Sequence, residues 1–238
     1  MPELSVVVPV FNEGGNVAAL LDEIVAALRG RVDFEAVFVD DASTDDTLAV
    51  LVAAKARIAE LRVIRHAVRS GQSTAIRNGV KAARAPWIAT LDGDGQNDPA
   101  DIPRLLARRD AGAASLRLLV GWRVERKDPG SKRRASKWAN AIRARLLRDR
   151  TPDSGCGIKL FERAAFLDLP YFDHMHRYLP ALMLRDGWQV ESVPVHHRPR
   201  ATGVSKYNNL DRALAGISDL RGVAWLIRRS RRTAAEEV

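Results

Sequence analysis

Hydrophobic and polar positions alternate along this chain in blocks rather than singly. Leu4–Val10 is a β-branched run with one polar position, the pattern of a strand buried on both faces of a parallel sheet. The turn from Phe11 to Gly15 follows, and Asn16 is placed to cap a helix whose apolar positions are Val17, Leu20, Leu21, Ile24 and Leu28. Phe34–Val39 predicts a second strand, then a helix through Leu48, Leu51 and Val52, and Leu61–His66 a third strand. Ser70 or Ser73 opens the next helix, through Ile76, Val80 and Ala83, and Trp87–Leu91 reads as strand four. A helix with Pro99 in its first turn runs to Ala111, followed by a strand over Ser115–Trp122. This alternation with short connections predicts an α/β fold with a mostly parallel central sheet flanked by helices.

Polar residues gather after each strand: Asn12 and Glu13, Asp40 and Asp41, then Asp92 and Asp94. Open α/β sheets bind ligands at the carboxyl ends of their strands, so these clusters converge on one edge. Asp92 and Asp94 sit two apart, which on extended backbone points them to one side. Two crowded carboxylates repel unless a cation lies between them, and an all-oxygen set favours hard Mg²⁺ or Mn²⁺. Gly93 and Gly95 let the backbone turn and a ligand approach, and the Gln96 carbonyl is a third oxygen. A plain Asp/Gly/Asn turn uses the same residues. An EF-hand loop fails, because its sixth and twelfth positions would be Asn97 and Pro103. No Gly-x-Gly-x-x-Gly follows the first strand, and no Gly-x-x-x-x-Gly-Lys occurs. Gly71-Gln72-Ser73-Thr74-Ala75 lacks the last glycine of a nucleophile elbow.

The composition, 46% hydrophobic and 28% charged over 238 residues, allows one large core. A single cysteine excludes an intramolecular disulfide and points to a reducing compartment. With no secretory signal pattern and no apolar run near the ~18 residues of a span, the expectation is a soluble or peripheral protein. Net charge is +9, and its distribution narrows the partners. Residues 123–150 hold eleven Lys and Arg against three acids, which predicts an anionic partner at one place on the surface. Within this block a helix over Ser131–Arg148 carries the apolar stripe Ala135, Trp138, Ile142 and Leu146. A second helical stripe, Leu210, Leu214, Ile217, Leu220, Ala224 and Ile227, spans Tyr207–Arg229 and ends near Trp225 and a run of arginines. Each helix packs on the domain or lies on an anionic membrane. Nucleic acid is not expected: aromatics are 6%, and no binding signature is present.

Other residues carry two readings each. Asp153 is a turn former or a substrate contact, and Cys156 reads as a small buried side chain. The pairs His174/His176 and His196/His197 lack zinc-ligand spacing, which leaves His176 as a substrate contact or a structural hydrogen-bonder.

Four ordered motifs carry a resemblance: Val6–Glu13 (VVVPVFNE), Val39–Asp45 (VDDASTD), Ser70–Ala75 (SGQSTA) and Leu91–Pro99 (LDGDGQNDP). With Gly121-Trp122-Arg123, Asp153–Lys159, Met175–Pro180 and Gly203–Tyr207, the chain resembles family 2 glycosyltransferases of the GT-A fold. Within them it is similar to the dolichol-phosphate mannosyltransferase and bacterial polyprenyl-phosphate branch.

The resemblance implies a nucleotide-sugar site at Pro9, Phe11, Glu13, Val39, Asp41, Gln72, Asp92, Gly93, Asp94 and Arg200. It implies a metal, Mg²⁺ or Mn²⁺, on Asp92, Asp94 and Gln96. Arg123, Arg126 and Lys206 would hold the acceptor phosphate, and Asp94, Arg123, Lys206 and Asp153 would serve catalysis. Two departures stand out: Ala42 replaces the usual glycine of the Asp-Asp-Gly-Ser turn, and the transmembrane helices of many relatives do not follow. The implied organisation is a GT-A domain over 1–206, with a nucleotide-sugar half to 99 and an acceptor half beyond, then an amphipathic basic tail over 207–238. The expected function is metal-dependent, inverting sugar transfer to a polyprenyl phosphate at the cytoplasmic membrane face. Transfer to a glycan or protein hydroxyl is the alternative, and a non-catalytic nucleotide-binding or membrane-adaptor module a second.

Overall fold

The five strands that the apolar runs predict all form. The computed structural model describes residues 1–124, 143–199 and 209–231. Among these, β1 (Leu4–Val10), β2 (Phe34–Asp40), β3 (Leu61–Arg65), β4 (Trp87–Thr90), β5 (Leu116–Arg123), β6 (Lys159–Glu162) and β7 (Gln189–Val195) form one sheet. Its order is β3-β2-β1-β4-β6-β5-β7. The helices are α1 (Gly14–Leu28), α2 (Thr47–Ala54), α3 (Gln72–Ala82), α4 (Ile102–Asp110), α5 (Arg163–Leu167), α6 (Leu179–Arg185) and α7 (Asn209–Arg229). Single 3₁₀ turns precede α4 and α6, and residues 143–147 are also helical.

β3, β2, β1 and β4 are mutually parallel, as the short connections require. β6 runs antiparallel to both β4 and β5, while β5 and β7 are parallel. β6, β7, α5 and α6 have no counterpart in the sequence reading. β6 is four residues long, with Lys159 and Glu162 at its ends, too short for a recognisable period.

Alternate residues of β1 serve opposite faces. Val6, Val8 and Val10 join α1's Leu20, Leu21 and Ile24 in one core layer. Val7 enters the other layer, with Val37, Val39, Ile76, Val80 and Phe161. The Phe161 ring stacks on Phe166 of α5 at 4.8 Å between centroids. Complete burial of such side chains contributes roughly 1.5–3 kcal/mol each, which explains why β1 and α1 could be placed from hydrophobic pattern alone.

Two helix starts differ from expectation. α1 begins at Gly14, not after Asn16; Asn16 is buried and donates from Nδ2 to Glu13 Oε2 at 2.7 Å. A buried Asn inside the first turn satisfies a neighbouring carboxylate rather than the free helix N–H groups. α3 begins at Gln72 with Gly71 before it, and neither Ser70 nor Ser73 caps it by side chain. Ser73 Oγ instead bonds His176 Nδ1 at 2.7 Å.

α7 packs against the domain through Val223, with Leu220, Ala224, Leu226 and Ile227 beside it. Tyr178 donates its hydroxyl to Gly216 O at 3.2 Å, Arg185 Nε donates to Leu226 O at 3.3 Å, and His174 Nδ1 meets Asp219 Oδ2 at 3.0 Å. Ile217 and Trp225, each about half exposed, face away from this contact. Of the helix expected over Ser131–Arg148, the residues up to 142 lie outside the described ones, and 143–147 are helical. Among the described residues, no helix is long and apolar enough to cross a membrane.

Candidate active site

The parallel register brings the ends of β1 and β2 level, Pro9 beside Val39 and Val10 beside Asp40. The loops that follow are laced together. Asn12 N–H donates to Ser43 Oγ at 2.9 Å, Thr44 N–H to Asn12 Oδ1 at 2.8 Å, and Glu13 N–H to Thr47 Oγ1 at 2.8 Å. This holds Phe11 and Glu13 against the β2 end, and the Arg69 guanidinium covers the Phe11 ring 4.1 Å from its centroid. Asp41 is 4% exposed and binds the approach to α3. Its Oδ1 accepts from Ser70 N–H at 2.8 Å and lies 2.7 Å from His66 Nδ1, while Oδ2 accepts from Gly71 N–H at 2.8 Å. Asp41 therefore fixes where α3 starts.

The first residue of α3 reaches the acidic loop. Gln72 Nε2 donates to Asp92 Oδ1 at 2.9 Å. Gly93 packs where a Cβ would meet Val10 Cγ1 at 2.7 Å, so only glycine lets this loop lie against β1. Gly157, entering β6, comes equally close on the other side: a Cβ there would fall 2.1 Å from Asp92 Oδ2 and 2.4 Å from Asn97 Oδ1. Asn97 Oδ1 accepts Asp92 N–H at 3.0 Å, and Asp94 Oδ1 accepts Gln96 N–H at 3.1 Å. Burial, and next the charge of Asp94, push the Asp92 carboxyl up, against the pull of Lys159, Arg123 and Gln72.

The acidic pair is faced by cations. Arg123, at the end of β5, grips Asp153 with Nε on Oδ2 at 2.7 Å and Nη2 on Oδ1 at 2.8 Å. Burial works against the charged guanidinium, but Asp153 outweighs it and holds Arg123 firmly protonated. Lys159, 4% exposed on β6, donates from Nζ to Cys156 O. Burial lowers the Lys159 ammonium below its ordinary range, against the smaller upward pull of Cys156, Asp92 and Asp153. Cys156 is fully buried, and burial raises its thiol, the behaviour of a small core side chain.

Asp92, Gly93, Asp94, Gln96, Gln72, Arg123 and Asp153 thus gather around one loop, with Pro9, Phe11, Glu13, Val39 and Asp41 along the adjoining strand ends. Arg126, Arg200 and Lys206 lie outside the described residues. The sequence reading gave no role to Lys159 or Arg198. Arg198 N–H donates to Gln96 O at 3.1 Å, its Nη2 donates to Asn97 O at 3.0 Å, and its guanidinium pairs with Glu23 at 2.7 Å. It fastens the acidic loop to α1, a role with no local sequence signal because its partners are 101 and 175 residues away.

Whether the residues suit a divalent cation turns on the donor set. Asp92 and Asp94 supply hard oxygens whose charges oppose each other, and the Gln96 amide adds a third oxygen. The Gln96 main-chain oxygen already accepts the Arg198 N–H, which leaves Oε1 as the better donor. Among the described residues, no three His, Cys, Asp or Glu gather into a closed cage. An open, oxygen-only set fits Mg²⁺ or Mn²⁺ shared with a ligand's phosphates, and does not fit structural zinc.

Residues 5–169 match the model of glycosyl transferase family 2. Over 234 residues the chain is 36% identical to a dodecaprenyl-phosphate galacturonate synthase of Rhizobium johnstonii, covering 95% of this chain and 68% of that one. It is 31% identical over 209 residues to an undecaprenyl-phosphate 4-deoxy-4-formamido-L-arabinose transferase of Sodalis glossinidius, covering 87% of this chain and 63% of the relative. In fold it is similar to glucosyl-3-phosphoglycerate synthase of Mycobacterium tuberculosis, solved with Mg²⁺ and UDP, with a TM-score of 0.71, 20% identity, and 95% and 79% of the two chains covered.

Proposed function

The chain belongs to glycosyl transferase family 2, and on that premise we propose that it moves a sugar from a nucleotide-diphosphate donor to a polyprenyl phosphate, with inversion and with Mg²⁺ or Mn²⁺. The relatives named for polyprenyl-phosphate substrates support this acceptor class, although the chain spans only 63–68% of their length. The observation that carries the proposal is the commitment of Asp153. A hydroxyl acceptor needs a base within hydrogen-bond reach, and both Asp153 oxygens are held by Arg123. A phosphate monoester, already about −1.5 to −2 at neutral pH, needs cations instead, and Arg123 and Lys159 flank the acidic pair.

In this reading Pro9, Phe11, Glu13, Val39 and Asp41 line the nucleoside end of the donor. Asp92, Asp94 and Gln96 hold the cation, which when bound offsets the charge of the departing diphosphate. Gln72 keeps Asp92 turned inward, Gly93 and Gly157 let the backbone close around it, and Arg123, Arg126, Arg200 and Lys206 hold donor and acceptor phosphates near each other despite their like charge. The exposed Ile217 and Trp225 of α7, with the basic block at 123–150, would rest the protein on the anionic cytoplasmic face of a membrane.

The direct test is ligand-induced stabilisation. Warming the protein with Mn²⁺ and a panel of nucleotide sugars should raise Tm for one donor, because a ligand that binds the folded state stabilises it by RT ln(1 + [L]/Kd). Asp94→Asn should abolish that shift without lowering Tm in buffer alone. No shift with any donor at millimolar concentration would contradict the proposal.

A further inference from the structure

Lys159 is an unusual residue for its position. It opens β6, the antiparallel strand at the centre of the sheet, opposite Thr90 of β4, the residue two before Asp92. Thr90 donates its hydroxyl to Gly157 O at 2.8 Å, and Gly157 is the residue packed on Asp92. The lysine is therefore fixed by backbone pairing next to the acidic loop, with 4% of its surface exposed. A buried ammonium is costly unless acids surround it. Burial is the larger influence and lowers the Lys159 ammonium, but Cys156, Asp92 and Asp153 favour its charge, and it in turn opposes the upward push on Asp92. It donates to the carbonyl of Cys156, which accounts for one of its three N–H groups.

The charges of this cluster nearly cancel. Asp92, Asp94 and Asp153 contribute three negative charges, Arg123 and Lys159 two positive. Arg123 is bound at both ends to Asp153, and of the two cations that act on Asp92, Lys159 acts the more strongly. We propose that Lys159 is a resident counter-ion of the acidic pair, a positioning residue that keeps Asp92 and Asp94 together without a metal and holds their affinity for a free divalent cation low. A cation then binds firmly only when a nucleoside diphosphate brings further negative charge. The site would take metal and donor as one unit rather than saturating with metal alone. This rests on the metal reading above.

The test is a titration of Mn²⁺ followed by electron paramagnetic resonance, with and without UDP or GDP and with no sugar transfer involved. Wild-type protein should bind free Mn²⁺ weakly and the nucleoside diphosphate should tighten it. Lys159→Gln, which keeps a donor for Cys156 O but removes the charge, should bind free Mn²⁺ at least about tenfold more tightly, since a unit charge within a few ångströms acts strongly at low effective dielectric. Its gain from nucleotide should shrink. Lys159→Arg, which keeps the charge, should stay near wild type. A merely structural lysine would lower Tm and leave the Mn²⁺ affinity unchanged, and that result would overturn the inference while sparing the metal site. Wild-type protein that takes up no Mn²⁺ even with nucleotide would overturn both. Should Lys159→Gln not fold, Asp153→Asn provides the opposite sign. Removing one acid must weaken Mn²⁺ binding by about tenfold, and an unchanged affinity would contradict the charge balance.

Discussion

Arg123 and Asp153, 30 residues apart in sequence, meet side by side through two parallel hydrogen bonds of 2.7 and 2.8 Å. The pair is largely shielded from water, so each residue depends on the other. Removing one partner of such a pair leaves a buried charge uncompensated. Arg123→Ala and Asp153→Asn should each reduce activity, Arg123→Ala more, because it removes both the cation proposed to hold the phosphates and the partner of Asp153. Their effects should be non-additive by about 1–3 kcal/mol in a double-mutant cycle. Arg123→Lys should rescue little, since an ammonium cannot reproduce the two-point fork. If Asp153→Asn alone abolished transfer and removed a limb of the pH–rate profile, Asp153 would be a base, and the acceptor a hydroxyl.

The fold and the acidic loop are legible in the sequence for reasons particular residues make plain. Leu4–Val8, Val10 and the α1 positions Val17, Leu20, Leu21 and Ile24 are buried completely or nearly so, and burial of that kind leaves a periodic record. The Asp92/Asp94 loop was legible because its chemistry is local: two acids and two glycines within four residues. Arg123–Asp153, Lys159 near Asp92, and Arg198 on Asn97 were not, because each joins residues far apart in the chain that only the fold brings together. β6 inserts antiparallel between β4 and β5, and nothing in four residues announces that.

Ala42 occupies the left-handed region, with φ of 60°, at the position where the resemblance led one to expect glycine. A Cβ there costs roughly 1–2 kcal/mol, partly offset by the greater freedom glycine gives the unfolded chain. Ala42→Gly should therefore stabilise the protein by about 0.5–1 kcal/mol, a Tm gain of a few degrees for a chain of this length. Calorimetry that found Ala42→Gly less stable would show that the loop's strain is absorbed elsewhere.

Glu35 gives the fold an acid-sensitive point far from the catalytic edge. Burial pushes its carboxyl up, but Ser5 Oγ and Arg84 N–H, both at 2.6 Å, and Arg62 Nη1 at 2.7 Å together hold it below the ordinary range. A depressed folded pKa contributes stability that is fully present above the unfolded value of about 4.3 and is lost as pH falls through the folded value. Glu35→Gln should lower Tm at pH 7 and flatten the decline of Tm below about pH 4.3. Parallel Tm–pH curves for the two proteins would show that Glu35 is not the linked group.

The exposed face of α7 predicts a membrane contact. Trp225 is 54% exposed, with the Arg229 guanidinium 5.7 Å from its ring centroid, and Ile217 is 51% exposed. Vesicles containing anionic lipid should sediment the protein, and salt should release it, because charges beyond about 8–10 Å are screened at ordinary ionic strength. Trp225→Ala should weaken binding several-fold without changing Tm, the ring lying outside the packed side of the helix. Equal binding to neutral and anionic vesicles would contradict the electrostatic part.

The central claim is that the acceptor's nucleophile is a phosphate. Purified protein, Mn²⁺ and the donor identified by thermal shift should be given a short-chain polyprenyl phosphate in one reaction and the matching polyprenol in another, with sugar transfer followed by mass spectrometry. The account predicts a sugar–phosphate–lipid product from the first and none from the second, with turnover abolished by EDTA and reduced at least about 10²-fold by Asp94→Asn. Transfer to the polyprenol at a comparable rate, or undiminished transfer in EDTA, would contradict it.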